Sequence, residues 1–323
     1  MKYIFGDVHL SCLNPWNHEV GEKIIDWFDT RFSNEKKQNY AIFLGDITER
    51  DVNPGDVIDQ VFRLFKFCSD HFADTYVVMG NHDLKLYRDN PQFSIKFLNN
   101  FGNVHVMEKF EDMTIDGDIV RFMPFMRIEG QTLNDYYSTI DWSKYPEADL
   151  TVGHWNIIDV NDFRLRNGVD VKNLPTKHLV LGHIHARIDE RYTGSMFPNN
   201  ISEQGGKYPR CFKIMDKGAL TEEKLPEFLV YNEIKYPNPI IKPTDNAVHV
   251  YTVIDIKSNT EAKSFYKNNY IRGISATPIS QGQSAVSSDV FLFHDNKQAL
   301  NSFLKETKYP LSRNAFAILN NVL

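Results

Sequence analysis

The sequence predicts an α/β fold built on parallel strands, with a smaller α+β region at its C-terminal end. Two observations predict the main part. Three strand-like apolar runs, at 3–5, 40–44 and 76–79, each end in Gly followed by Asp or Asn. Two stretches of helical periodicity separate them. Strands buried on both faces read as unbroken apolar runs, and intervening helices make the crossovers that parallel pairing needs.

The elements follow in order. The run 3–5 closes at Gly6-Asp7. Over 20–32, apolar residues fall at Val20, Ile24, Trp27, Phe28 and Phe32, the period of a helix. The run 40–44 closes at Gly45-Asp46. Asn53-Pro54 predicts the next helix start, with Asn as N-cap and Pro in the first turn. Its stripe is Val57, Ile58, Val61, Leu64, Phe65, Cys68 and Phe72. The run 76–79 closes at Gly80-Asn81-His82-Asp83. From Val104 the pattern turns strand-rich, as at 119–123, and apolar runs return before Gly153-His154 and at 178–181 before Gly182-His183. Residues 191–212 read as further strands and loops. Residues 225–243 carry four prolines, which predicts a connection. Beyond it the pattern gives a strand at 247–256, a helix at 261–268, short strands at 271–274 and 290–293, and a helix at 297–307. The expected domains are therefore 1–235, which holds the chemistry, and 236–323, a small α+β domain.

Of the 323 residues, 42% are hydrophobic and 24% charged, which excludes disordered and fibrous classes. The formal net charge is −6, so no global positive field draws the chain to nucleic acid or anionic lipid. The acidity lies in 1–215; the remainder is near neutral. Any polyanion must be gripped locally. Cys12, Cys68 and Cys211 are widely spaced and odd in number, so reduced thiols are expected. The N-terminal apolar run is too short for a signal peptide, and no window approaches the roughly eighteen apolar residues of a membrane span. The expectation is a soluble, cytoplasmic chain that does not enter a membrane.

Five short motifs place metal-capable residues after strand-like runs: Asp7-Val8-His9, Gly45-Asp46, Gly80-Asn81-His82-Asp83, Gly153-His154 and Gly182-His183-Ile184-His185. Singly, most have ordinary explanations: Gly-Asp is usually a turn, and Asx-turns account for Asn-His-Asp. Together they follow strand-like runs, and loops at the carboxyl ends of strands converge on one crevice in open α/β sheets. Two carboxylates, an amide oxygen and four imidazoles are too many donors for one tetrahedral ion and suit two divalent ions. Asp46 can bridge them, since one carboxylate has an oxygen for each. Such pairs clamp the attacking and leaving oxygens of phosphoryl displacement. Imidazoles beside carboxylates favour Mn, Fe, Zn or Co over Mg or Ca. No Gly-x-Ser-x-Gly, P-loop, His-Glu-x-x-His or Gly-x-Gly-x-x-Gly motif competes.

The order of these motifs resembles the calcineurin-like metallophosphoesterase superfamily over about residues 1–215. The resemblance implies two packed mixed β-sheets flanked by helices. It implies one metal held by Asp7, His9, Asp46 and His185, and a second by Asp46, Asn81, His154 and His183. It implies that His82 binds no metal but assists the leaving oxygen, with Asp83 orienting it. An imidazole near neutral pKa suits a proton donor.

The segment Gly182 to Arg187, then Arg191-Tyr192-Thr193-Gly194-Ser195 and Ser202-Glu203, is similar to the SbcD-type DNA repair nucleases, which include recombination endonuclease subunits of large tailed phages. Met123-Pro124-Phe125, Gly153-His154-Trp155 and a smaller domain after the core also fit this group. Met196 follows Gly194-Ser195 where Pro is usual, and Glu49 stands where Asp or His is common. The resemblance implies a DNA substrate and manganese-dependent 3′-to-5′ exonuclease and single-strand endonuclease activity. It further implies a homodimer, an SbcC-type ABC ATPase partner and a second domain that caps the site and touches DNA. The alternatives are a phosphoesterase acting on nucleotides or phosphoproteins, and a non-catalytic scaffold. Lys257, Lys263, Lys267 and Arg272 interleave with Phe265, Tyr266 and Tyr270; they read as DNA contacts or, preferably, as a solvated helix face with core aromatics. The stretch 312–323 either docks on the ATPase or packs on its own domain. His18, His71, His105, His178, His249 and His294 are expected to be structural or surface residues.

Overall fold

A computed structural model describes residues 1–14, 16–49, 55–87, 90–93, 95–126, 133–160, 163–164, 168–240, 243–254 and 274–276. The chain opens with β1 (Lys2–Phe5), α1 (Asn17–Phe32), β2 (Tyr40–Phe43), α2 (Gly55–His71) and β3 (Asp74–Val78). A hairpin of β4 (Leu84–Tyr87) and β5 (Asn90–Phe93) follows, then β6 (Val104–Met107), β7 (Glu111–Ile115), β8 (Asp118–Met123) and the short α3 (Leu133–Ser138). Next come β9 (Leu150–His154), a minimal ladder of β10 (Asp159–Val160) with β11 (Phe163–Arg164), and β12 (Leu179–Gly182). The remaining strands are β13 (Cys211–Asp216), β14 (Ala219–Lys224), β15 (Leu229–Lys235), β16 (Val248–Ile254) and β17 (Ile274–Ala276).

Two mixed sheets carry the fold. The first has the order β14–β13–β1–β2–β3–β6, with β1, β2, β3 and β6 parallel, β13 antiparallel to β1, and β14 antiparallel to β13. The second has the order β12–β9–β8–β7, parallel except for β7. Side chains alternate along each strand. Ile4, Ile42, Leu44, Tyr76 and Val78 join Val120, Phe122, Leu150, Val152 and Val180 in a core shared by the two sheets. Their neighbours Tyr3, Phe5, Ala41, Phe43 and Val77 face α1 and α2. A third cluster, with Met123, Tyr137, Trp155, Leu181 and Tyr192, covers the other face of the second sheet. Strands β1, β2, β3, β9 and β12 are thus buried on both sides, which is why they read as unbroken apolar runs, whereas the edge strands β14 and β7 are largely exposed or half-buried.

The helical stripes bury as their periodicity predicts: Val20, Ile24, Phe28 and Phe32 on α1, and Val57, Val61, Leu64, Phe65 and Cys68 on α2. The Asn53-Pro54 start lies outside the described residues. Phe28 is fully buried, with ring centroids of Phe5, Trp27, Phe32 and Phe43 at 4.9–5.8 Å. Phe28→Ala is expected to cost about 3–5 kcal/mol of folding stability, read by urea denaturation, while leaving the strand-end loops intact.

Two features depart from the sequence reading. The proline-rich stretch 225–243, expected to be a connection, holds strand β15. Its Leu229 is buried in the first core with Val248 and Val250 of β16. Hairpin β4–β5 carries no strong alternation and was not expected. The chain divides into two compact units. One comprises Met1–Asn232, Ile241–Tyr251 and Ile271–Ile274; the other comprises Glu233–Ile240, Thr252–Tyr270 and Ser275–Leu323. The strand expected at 247–256 is β16, and β17 begins at the end of the one expected at 271–274. The helices expected at 261–268 and 297–307, the strand at 290–293, the basic and aromatic residues from Lys257 to Arg272, His294 and the 312–323 stretch lie outside the described residues. No described helix is long and apolar enough to cross a membrane. The cysteines are unpaired, with Cys12 exposed and Cys68 and Cys211 buried.

Candidate metal centre

All five motifs sit at the carboxyl ends of parallel strands. Asp7 and His9 follow β1, Asp46 follows β2, and Asn81, His82 and Asp83 follow β3. His154 ends β9, and His183 and His185 follow β12. The first three strands belong to one sheet and the last two to the other, so the site lies across their shared rim. Backbone bonds stitch the loops together. Val8 and His9 N–H donate to the Asp46 carbonyl at 3.1 and 2.9 Å, and Met196 N–H donates to the Asp7 carbonyl at 2.8 Å. Ser195 N–H donates to the His185 carbonyl at 3.2 Å, so the 192–196 turn buttresses two of the motif loops.

The loops are bent hard to aim their side chains. His9, Asp46 and His183 have φ of 49°, 46° and 80°, in the left-handed region that costs a non-glycine residue about 1–2 kcal/mol. The close approach of the β2 and β3 loops demands glycine. A Cβ on Gly80 would lie 2.1 Å from Asp46 Oδ1, and one on Gly45, itself at φ 102°, 2.6 Å from His154 Nδ1.

Two donor clusters result. Asp7, His9, Asp46 and His185 form the first, and Asp46, His154 and His183 the second. In the first, His9 Nε2 and His185 Nε2 lie 2.9 Å apart, with Asp7 Oδ2 3.9 and 3.7 Å from them. In the second, His154 Nε2 lies 3.2 Å from Asp46 Oδ2, 3.2 Å from His183 Nδ1 and 3.0 Å from Asn81 Oδ1. Asp46 Oδ2 also lies 3.8 Å from His9 Nε2, so one oxygen borders both clusters. All seven residues expected as ligands are brought together.

The donor set fits divalent cations. Asp46 Oδ2 is buried without a hydrogen-bond partner among the described residues, a costly condition that a cation would relieve. Donors 2.0–2.2 Å from one ion and at right angles stand about 3 Å apart, the spacing found between the inward nitrogens. The protonation states also conflict. Burial, with the Asp46 charge, raises the Asp7 carboxyl, although the imidazoles around it pull the other way. Burial works to raise Asp46 too, yet the neighbouring imidazoles hold it well below its ordinary value. Burial disfavours the charge on both imidazoles of the second cluster. His154 is nonetheless raised to about 9 by the carboxylates of Asp46 and Asp7, whereas His183 is lowered to about 3 by burial and by His154. Positive ions would let every donor present a lone pair at once.

His82 stands at the edge, half-buried, its ring centroid 5.2 Å from that of His9. Its N–H donates to Asp46 Oδ1 at 2.8 Å, and its Nδ1 lies 2.6 Å from the Glu49 carbonyl oxygen. Asp83 accepts N–H bonds from Ile47 at 3.0 Å, Thr48 at 3.4 Å and Gly80 at 3.1 Å. It thereby ties the loop carrying His82 to the loop carrying Asp46. Its carboxyl is raised to about 7 by burial and by the Asp46 charge.

The sequence reading assigned no role to Glu49 or Glu203. Glu49 Oε2 stands 2.7 Å from His9 Nδ1, and Glu203 Oε2 stands 3.2 Å from His185 Nδ1. Glu49, His9 and His82 also form a third donor grouping, on the far side of His9 from the first cluster. The signals were the Glu49 departure and the Ser202-Glu203 motif, but neither spacing reveals which ring a carboxylate backs. Four of the other described histidines pair outside the site: His71 with the Phe67 carbonyl, His105 with Asp74, His178 with the Gly218 carbonyl and His249 with Asp245.

Exonuclease subunit 1 of Enterobacteria phage T4 is 26% identical over 174 residues, covering 50% of this chain and 48% of that protein. The match thus spans about half the length of that relative. Among solved structures, a protein of unknown function from Aquifex aeolicus, AQ665, aligns with a TM-score of 0.30 and 15% identity over 55% of this chain and 87% of its own. Phosphopantetheinyl hydrolase from Mycobacterium tuberculosis aligns with a TM-score of 0.34 and 16% identity over 69% and 87%. The calcineurin-like phosphoesterase model matches residues 3–203, the span that holds both sheets' parallel strands and all five motifs. With that match over most of the chain, the protein belongs to the calcineurin-like phosphoesterase family, whose members are metal-dependent hydrolases.

Proposed function

We propose that this chain is a two-metal phosphodiesterase that cleaves DNA, with 3′-to-5′ exonuclease and single-strand endonuclease activity. In this reading it uses manganese and acts in the cytoplasm as the homodimeric catalytic subunit of a recombination or repair complex with an SbcC-type ATPase. One observation carries the reading: donors from five strand-end loops converge into two adjoining clusters that share Asp46. The similarity to phage T4 exonuclease subunit 1 supports DNA as the substrate.

Asp7, His9, Asp46 and His185 would hold one ion, and Asp46, Asn81, His154 and His183 the other. The ions supply Lewis acidity to a phosphoryl group and lower the pKa of nearby water. The chain's own residues do the rest. With His82 Nδ1 engaged by the Glu49 carbonyl, Nε2 is the nitrogen that passes a proton to the leaving oxygen. The bond from His82 N–H to Asp46 Oδ1 keeps that ring in register with the clusters. Asp83 holds both loops through backbone amides and so orients His82 indirectly.

The test sets end-labelled single- and double-stranded DNA against p-nitrophenyl phosphate and small diesters, with manganese and with chelator. Manganese-dependent shortening of DNA, lost on chelation, is expected. Robust turnover of small esters with DNA left intact would overturn the DNA assignment and favour nucleotide or phosphoprotein substrates.

A further inference from the structure

The two donor clusters differ in what stands behind them. In the first, the Nε2 atoms of His9 and His185 face inward, so each Nδ1 faces out. Both outward nitrogens stand within ion-pair distance of a carboxylate, Glu49 Oε2 at 2.7 Å and Glu203 Oε2 at 3.2 Å, although His9 Nδ1 is not aligned for a hydrogen bond. Asn199 links the two. Its Nδ2 lies 3.5 Å from Glu49 Oε2 and 3.3 Å from His185 Nδ1, and its N–H donates to Glu203 Oε2 at 2.8 Å. Tyr231 Oη donates to the Asn199 carbonyl at 2.8 Å and anchors the link to β15.

The second cluster has neutral backing. His154 Nδ1 donates to the Leu44 carbonyl at 2.7 Å, and His183 Nε2 has no hydrogen-bond partner among the described residues. Its amide donor, Asn81, is uncharged. A carboxylate close behind an imidazole adds negative charge near the ion and, where it accepts the ring N–H, also fixes the tautomer and makes the inward nitrogen more basic. A cation in the first position therefore meets Asp7 and Asp46 directly, with Glu49 and Glu203 behind its histidines. A cation in the second meets the shared Asp46, an amide and a carbonyl-backed ring.

We propose that Glu49 and Glu203 are positioning residues that make the Asp7–His9–His185 position the tighter of the two, so that cations load there first and at the Asn81–His154–His183 position second. The proposal rests on the two-metal reading above.

The experiment titrates Mn2+ into the demetallated full-length protein, following free Mn2+ by electron paramagnetic resonance and heat by calorimetry. Two steps of different affinity are expected. Asn81→Ala should remove or weaken the weaker step alone. Glu49→Gln and Glu203→Gln keep shape and acceptor but drop the charge. Each should weaken the tighter step by about 10–100-fold and leave the weaker one in place. The two glutamates act from different loops on different histidines, so either variant carries the test if the other does not fold. One class of equal sites, loss of the tighter step in Asn81→Ala, or Gln variants that leave the tighter step unchanged would overturn the loading order. Failure of the unsubstituted protein to bind Mn2+ at all would instead overturn the two-metal reading.

Discussion

Asp46→Ala is expected to empty both metal positions at once and to lower phosphoester hydrolysis by more than about 10³-fold. The expectation follows from where one oxygen lies. Asp46 Oδ2 is 3.2 Å from His154 Nε2 and 3.8 Å from His9 Nε2, so it borders both clusters, and it has no hydrogen-bond partner among the described residues. Removing any other expected ligand leaves one cluster whole. Metal content after desalting gives the direct reading, with the unsubstituted protein retaining two ions per chain and the variant none. Stability gives an independent one. A ligand at 100 times its Kd stabilises the folded state by about 2.7 kcal/mol, so Mn2+ should raise the denaturation midpoint of the unsubstituted protein but not of the variant. Two tightly held ions in Asp46→Ala would contradict the shared carboxylate.

His82→Ala is expected to behave in the opposite way, retaining both ions and losing about 10²–10⁴-fold in turnover of DNA. His82 belongs to neither cluster that contains Asp46. Its backbone N–H, not its ring, contacts the Asp46 carboxylate, and alanine keeps that bond. What disappears is an imidazole held through Nδ1 on the Glu49 carbonyl. If its task is to protonate a leaving oxygen, the penalty should shrink on an ester of p-nitrophenol, whose anion leaves without a proton. Parallel kcat measurements on DNA and on a p-nitrophenyl ester check this, with metal analysis alongside. Loss of the ions from His82→Ala would show that the ring is a ligand after all.

The two substitutions separate what was readable from what was not. Asp46 could be singled out from the linear chain because it ends an apolar run, and the run is unbroken because β2 is covered by α1 and α2 on one face and by the second sheet on the other. The same holds for the runs before Asp7, Asn81, His154 and His183. Hairpin β4–β5 and strand β15 escaped because neither carries that signature; β5 includes Pro91, and β15 lies in a proline-rich stretch with only its first residue fully buried. Glu49 and Glu203 escaped for another reason. Each partners a histidine distant in sequence, 40 residues away for Glu49 and 18 for Glu203, and chain spacing carries no information about which carboxylate meets which nitrogen.

The linear order of residues by itself determined the strand-and-helix alternation, the buried faces of α1 and α2, and the set of donor residues, because burial periodicity and donor chemistry are local properties. Tertiary structure alone decided how those donors divide. The stacking of two sheets brought His154 and His183 to the rim that carries Asp7, Asp46 and Asn81. There the inward atoms are Nε2 of His9, His185 and His154 but Nδ1 of His183. One pair of imidazoles, His9 and His185, stands against carboxylates and the other pair does not, a distinction that depends on distances across the folded chain.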